Sequence, residues 1–285
     1  MLCRFEALRA SKAEPSRLRV VFCIHVPKAA GNSMNILFRQ NRYFDVPIRG
    51  DDFFYYTPQD RWLELTRPGP ATIFSGHFRL DHPLLRRMWM PYAAVSLLRN
   101  PVDRLLSAYN FTLRREGTLW HSEVTTGAMS FTDYAAAFTA AVGTQYGYFD
   151  DTGTGTASPQ ECLENLLNKV TFYGFSEKFD EFAVTIGYLM GLRNVVPIPE
   201  ENITAEIPNP HNHPTKICVT DAESDILSVM LRDDQWFYDE ALKAYNSRMS
   251  DPRLAELVAR SAPLIALCRD TRSQFTAIKE SVRAK

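Results

Sequence analysis

Residues 19–34 read RVVFCIHVPKAAGNSM, and the order of residue types in that stretch decides the fold. Residues 19–26 form a nearly continuous apolar, β-branched run without polar alternation, which predicts a short strand buried on both faces. Residues 27–31 are a turn of small residues, and 33–40 have helical character. Strand, tight turn and helix make up the opening unit of an open α/β sheet. Working outward, 71–75 and 93–98 are two further strand candidates, with a helical stretch at 84–88 between them. Asn100-Pro101 then opens a long helix to about Arg115, since Asn caps free N–H groups and Pro lacks the one it would waste. Residues 131–142 and 179–192 read as helices, 170–175 and 194–198 as strands, and 143–159 and 197–214 as loops; from Asp221 onward the pattern is helical, broken by Pro252 and Pro263. This alternation predicts one three-layer α/β/α domain around a mostly parallel central sheet. The expected organisation is a polar arm at 1–17, the domain proper at 18–250, and a C-terminal helical extension at 251–285 packed on it.

Composition narrows the function. The 285 residues are 45% hydrophobic, 23% charged and 12% aromatic, which is ordinary for a globular chain. Lys plus Arg number 32 against 33 Asp plus Glu, so there is no global basic field. Nucleic-acid coating is thereby disfavoured, and any polyanion must be held by local clustering. The five Cys (3, 23, 162, 218, 268) and six His show no CxxC or HxxxH spacing, so no metal is expected. An odd count, with Cys23 inside an apolar run, predicts free thiols in a reducing compartment. No stretch approaches the ~20 apolar residues of a transmembrane segment. Arg4, Glu6, Arg9, Lys12, Glu14, Arg17 and Arg19 make the start too polar for a signal peptide. The expected address is cytoplasmic, and the glycosylation patterns at Asn110 and Asn202 read as chance.

Two segments carry chemistry. In VPKAAGNSM (26–34) the strand–turn–helix points backbone N–H groups and the positive helix end at an incoming anion. Gly31 lets the backbone come close, Asn32 and Ser33 add donors, and Lys28 adds a mobile charge. A phosphate or sulfate fits there; the bland alternative is a tight turn with a surface lysine. A Walker A loop places its Lys after the last Gly, whereas here Lys28 precedes Gly31. In SLLRNPVDRLLSAYNF (96–111), Arg99 stands at the carboxyl edge of a strand, where open α/β sheets bind ligands. Ser107 follows about two turns into the helix, with Arg104 one turn before it on a similar face. A guanidinium fork with a hydroxyl suits a second phosphate; the alternative is an exposed Arg and an ordinary helix Ser. Arg79, Arg86, Arg87, Arg99, Arg104, Arg114 and Arg115 face only Asp81 and Asp103 between positions 79 and 115, a local concentration that favours a polyanion. A Mg²⁺-dependent phosphoryl-transfer enzyme wants an Asp near the end of such a strand, and this one ends in Arg99.

Pro27, Lys28, Gly31 and Ser33 in the first segment, with Arg99, Pro101, Arg104, Ser107 and Tyr109 in the second, resemble the sulfotransferase superfamily. The likeness is greatest to the carbohydrate-type family that includes heparan sulfate 2-O-sulfotransferases and many bacterial relatives. Residues 174–192 and 233–242 resemble later segments of it more weakly. Asn32, where Thr is commoner, and Ala29-Ala30 depart mildly from the pattern. The resemblance implies a P-loop-like fold that binds 3′-phosphoadenosine 5′-phosphosulfate (PAPS), passes its sulfuryl group to an acceptor hydroxyl of a carbohydrate, and releases 3′,5′-ADP without a metal. It assigns the 5′-phosphosulfate to Lys28, Ala30, Gly31, Asn32, Ser33 and Met34, and the 3′-phosphate to Arg99 with Ser107.

The reaction needs a base, and His77 in SGHFRLDHP (75–83) follows the second predicted strand at the same carboxyl edge as Lys28. Its type titrates near neutrality, and in the resembled family a Gly-His pair after this strand supplies the base. His82 is the next candidate. His25 reads as a packed strand residue, His121 as lining an acceptor site, and His211 and His213 as loop filler. Residues 143–159 read as a lid over the acceptor or as plain disorder. The rival readings are a Mg²⁺-dependent kinase and an inactive module that holds nucleotide or glycan.

Overall fold

Val20–Ile24 (β1) lies at the centre of the sheet in the computed structural model, which describes residues 20–40, 48–49, 72–87, 92–190 and 219–283. Phe22 and Cys23 point to opposite faces of the strand and both are fully buried, so both faces of the sheet are covered. The other strands are β2 (Ile48–Arg49), β3 (Thr72–Gly76), β4 (Tyr92–Leu98) and β5 (Phe172–Phe175), in the spatial order β2-β3-β1-β4-β5. Every pairing is parallel. The protein is an α/β domain, as the alternating pattern predicts. Ile24 sits opposite Gly76 of β3 and Ser96 of β4, so whatever follows these three strands collects along one edge.

The helices are α1 (Gly31–Gln40), α2 (Pro83–Arg87), α3 (Pro101–Arg114), α4 (His121–Thr125), α5 (Phe131–Val142), α6 (Pro159–Lys169), α7 (Phe179–Met190), α8 (Asp221–Met230), α9 (Arg232–Met249) and α10 (Pro252–Arg283). The α3 start follows its sequence signal: the Asn100 side chain accepts from the Val102 and Asp103 N–H groups, and Pro101 takes the first helical position. Ser130, Ser158 and Thr220 each form a capping box with the acid three residues on. One core cluster lies about the sheet, including the stacked rings of Phe22 and Phe74 (5.0 Å). A second joins α3, α4, α5 and α8 through Tyr109, Val124, Phe131, Tyr134, Phe138 and Leu227. Asn110 and Thr112 are buried in α3, which removes the first glycosylation pattern from the surface. Cys23 and Cys162 are buried free thiols, and burial raises both, Cys162 to about 12.

Several expectations need correction. β1 stops at Ile24 rather than Val26, because Pro27 offers no N–H with which to extend the ladder. Pro263 does not break α10 but lies within it on the exposed side, where water can serve the carbonyl that loses its partner. Residues 143–159 are not plain disorder. Tyr146–Phe149 is a 3₁₀ turn whose Tyr148 and Phe149 enter the core. Beyond it Asp150 accepts from the Thr152 hydroxyl, the N–H groups of Thr152 and Gly155, and Arg79. Burial alone would raise the Asp150 carboxyl; these donors outweigh it and hold the group below its ordinary value. The arm at 1–17, the strand expected at 194–198, the loop 197–214, and His211 and His213 lie outside the described residues. Among the described residues no helix is long and apolar enough to cross a membrane.

Candidate functional site

The turn between β1 and α1 has an unusual backbone. Lys28 and Ala30 have φ of 68° and 61°, in the left-handed region that non-glycine residues avoid. Left-handed residues in alternation fold successive N–H groups around one concavity. The Ala29 N–H closes the turn on the Val26 carbonyl (3.1 Å), with both side chains buried beneath it. The helical ladder of α1 begins when the Met34 N–H donates to the Ala30 carbonyl (3.1 Å). The N–H groups of Gly31, Asn32 and Ser33 therefore precede that ladder, at the positive end of the helix. Met34 is placed otherwise than expected: its side chain is in the core and its N–H is spent within the helix, so it has nothing to offer an anion. Ser33 is half-buried at the turn, and the Asn32 side chain lies outside the described residues.

Lys28 ties this turn to the second segment twice. Its carbonyl accepts from Nη1 of Arg99, at the end of β4 (3.2 Å). Its ammonium rests on the face of Phe111 in α3, 3.9 Å from the ring centroid. Burial, then the charges of Arg99 and Arg115, lower Lys28 from its ordinary 10.5 to about 8. Ser107 and Phe111 are spaced by four on α3 and so share one face. Because Phe111 meets Lys28, half-buried Ser107 also stands on the face turned to the β1–α1 turn. Exposed Arg115 packs on the same ring from 5.2 Å.

Arg99 is itself held from behind. The Gln145 side chain accepts from the Arg99 N–H (3.3 Å) and donates to its carbonyl (3.0 Å), bracketing the residue as a strand neighbour would. Oδ1 of Asp234 in α9 accepts from the N–H groups of Gln145 (2.9 Å) and Tyr146 (3.2 Å), fixing the bracket. Oδ2 of the same carboxylate faces Nη2 of Arg104 at 3.7 Å. Arg104 is therefore not part of a clamp on the open face of α3. It is fully buried in an ion pair, and its Nη2 also donates to the Gly143 carbonyl (2.9 Å). Other arginines of the basic cluster are likewise engaged: Arg79 by Asp150 (3.0 Å), and Arg86 by the Asp151 carbonyl. Arg114 is buried, and the side chain of Arg87 lies outside the described residues.

His77 follows β3 directly and is exposed. His25 is not inside the strand as expected; it is one residue past β1, half-buried, with its ring centroid 4.5 Å from that of His77. His82 packs against Phe78 (5.5 Å between ring centroids). His121 opens α4 and its Nδ1 lies 2.7 Å from the Thr112 carbonyl, which engages that ring in the helical subdomain.

Gln145, Asp234, Phe111 and His25 are thus the residues that sequence reasoning missed. Asp234 left one readable signal: it shares helical spacing with Phe237, Tyr238, Ala241 and Tyr245, so an acid stands in register with an apolar stripe.

The site joins a left-handed turn at a helix start, a lysine of lowered basicity, an arginine fixed by its backbone, and a pair of neighbouring imidazoles. Residues 16–285 of the chain match the model of the sulfotransferase family. No curated protein matches it. Among solved structures it is similar to mouse sulfotransferase SULT7A1 complexed with PAP, at 13% identity and a TM-score of 0.41. That match covers 67% of this chain and 63% of the mouse chain, less than two thirds of the latter's length.

Proposed function

The chain belongs to the sulfotransferase family, and from that premise we propose that it moves the sulfuryl group of PAPS to an acceptor hydroxyl of a carbohydrate, as in the carbohydrate-type branch. The observation that carries this reading is the Arg99–Lys28 hydrogen bond, which fastens the two anion-binding segments together at one sheet edge. A donor with phosphate groups at both ends of one nucleoside needs two cationic centres side by side. The N–H groups of Gly31, Asn32 and Ser33, with Lys28, hold the 5′-phosphosulfate; Arg99 and Ser107 hold the 3′-phosphate.

The acceptor oxygen attacks sulfur in line as the bond from sulfur to the 5′-phosphate oxygen breaks. The electron pair leaves on that oxygen, so 3′,5′-ADP departs with its charge met by Lys28 and the start of α1. The acceptor proton passes to His77. The inactive-module reading requires His77 to be remote from the cradle; its exposure and its contact with His25, whose ring borders Gly31, favour the enzyme instead.

Ligand-induced thermal shift tests the reading. At about 100 times its Kd, 3′,5′-ADP stabilises the fold by about 2.7 kcal/mol, whereas ATP with Mg²⁺ at the same concentration gives a much smaller shift. Equal shifts, or a larger one with ATP–Mg²⁺, would turn the assignment toward the kinase.

Lys28 makes donor binding depend on pH. An anion in the cradle favours the ammonium, so affinity for 3′,5′-ADP is greatest below pH 8, where Lys28 is charged in the free protein, and falls as pH rises through about 8. The ligand's phosphates, with a second pKa of about 6, do not titrate in that range. Calorimetry between pH 7 and 9.5 detects the change as proton uptake on binding, which Lys28→Arg abolishes. A flat profile in the unsubstituted protein removes Lys28 from the cradle.

A further inference from the structure

We infer that His25 is a positioning residue for His77, its imidazole acting as the spacer that sets the base against the donor cradle; this rests on His77 being the base. The His25 N–H donates to the carbonyl of Gly76 (2.9 Å), so its backbone is fixed to the residue that immediately precedes His77. On one side its ring meets that of His77, with centroids 4.5 Å apart and planes inclined by 40°. On the other side it lies directly over the first residue of α1. A Cβ on Gly31 would fall 1.9 Å from Nε2 and 2.0 Å from Cδ2 of His25.

One flat ring therefore fills the gap between the base and the first residue of the helix whose N–H groups form the cradle. Gly31 begins an ordinary helical turn, so the His25 ring, rather than any special backbone angle, is what demands glycine there. An exposed imidazole at a strand end turns about two side-chain bonds, and packing one of its faces restricts that freedom. The alignment matters because a displacement of ~1 Å at a reacting group costs about 10²-fold in rate. His25 supplies the alignment without touching the acceptor.

The test uses turnover with labelled donor and the Kd for 3′,5′-ADP in His25→Ala, His25→Phe, Gly31→Ala and the double variant His25→Ala/Gly31→Ala, with His77→Ala as reference. His25→Ala loses about 10- to 100-fold in kcat, while Kd stays within about threefold because the cradle's N–H groups belong to the turn and helix. His25→Phe restores the flat wall and recovers most of the loss. Gly31→Ala is costly alone, since it drives the ring off its seat, but adds little once His25 is Ala. The inference is overturned by unchanged kcat in His25→Ala beside an inactive His77→Ala, by His25→Phe as slow as His25→Ala, or by a Gly31→Ala cost that is the same in both backgrounds. A His25→Ala variant that loses donor binding in proportion to turnover also overturns it, leaving the ring as a cradle wall. Full activity in His77→Ala ends the reading of the base itself, and absence of transfer by the unsubstituted protein ends that of the reaction.

Discussion

His77→Ala lowers turnover by about 10²–10⁴-fold, the usual worth of a positioned general base, and leaves 3′,5′-ADP binding intact. The separation of the two effects follows from the architecture. His77 belongs to the strand end after β3, whereas the proposed donor site lies in the turn after β1 and the residues after β4. Its side chain is exposed, so its loss opens no cavity and the fold tolerates the change. The measurement pairs sulfuryl transfer from labelled PAPS with a direct 3′,5′-ADP titration. Turnover within threefold of the unsubstituted protein removes His77 as base; parallel loss of binding makes it part of the donor site.

Asp234→Ala is expected to destabilise the protein by about 3–5 kcal/mol, as removal of one partner from a buried ion pair does. Arg104 has 0% of its surface exposed and Asp234 2%, so water cannot replace the missing carboxylate. The same substitution deprives the N–H groups of Gln145 and Tyr146 of their acceptor. Gln145 then no longer brackets the backbone of Arg99, and the 3′-phosphate end of the proposed donor site loosens. Asp234→Asn keeps an oxygen for the two N–H groups and loses the charge, so it falls between the two. Urea unfolding reads the stability and 3′,5′-ADP affinity reads the site. Loss of stability with unchanged affinity would break the proposed link from α9 to Arg99.

What sequence could show here was contiguous. Lys28 and the N–H groups of Gly31 and its neighbours lie within one strand–turn–helix, and Asn100, Pro101 and Arg99 within another, so local spacing predicts their local structure. Parallel pairing adds the rest, since strands that end in register collect their following residues on one edge. Arg104 shows where this fails. Its position one turn before Ser107 suggests a shared ligand, yet the charge that claims it stands at Asp234, far away in sequence. Gln145 is equally remote, 46 residues from the backbone it brackets, and a side chain that imitates a strand leaves no periodicity to read. For His25, an apolar run gives no warning that the strand ends one residue before it. The composition of the Gly/Thr-rich segment after Gly143 predicts a lid or disorder and hides the fact that Tyr148 and Phe149 within it are core residues.

The left-handed angles at Lys28 and Ala30 have a thermodynamic consequence. Each costs roughly 1–3 kcal/mol, and the surrounding packing bears that cost when the chain folds. On the proposed function the turn therefore meets an anion already shaped, and little conformational entropy is lost on association. Loosening it with Ala30→Gly would make the protein easier to fold and poorer at capturing anions, a trade between stability and affinity set by a single methyl group.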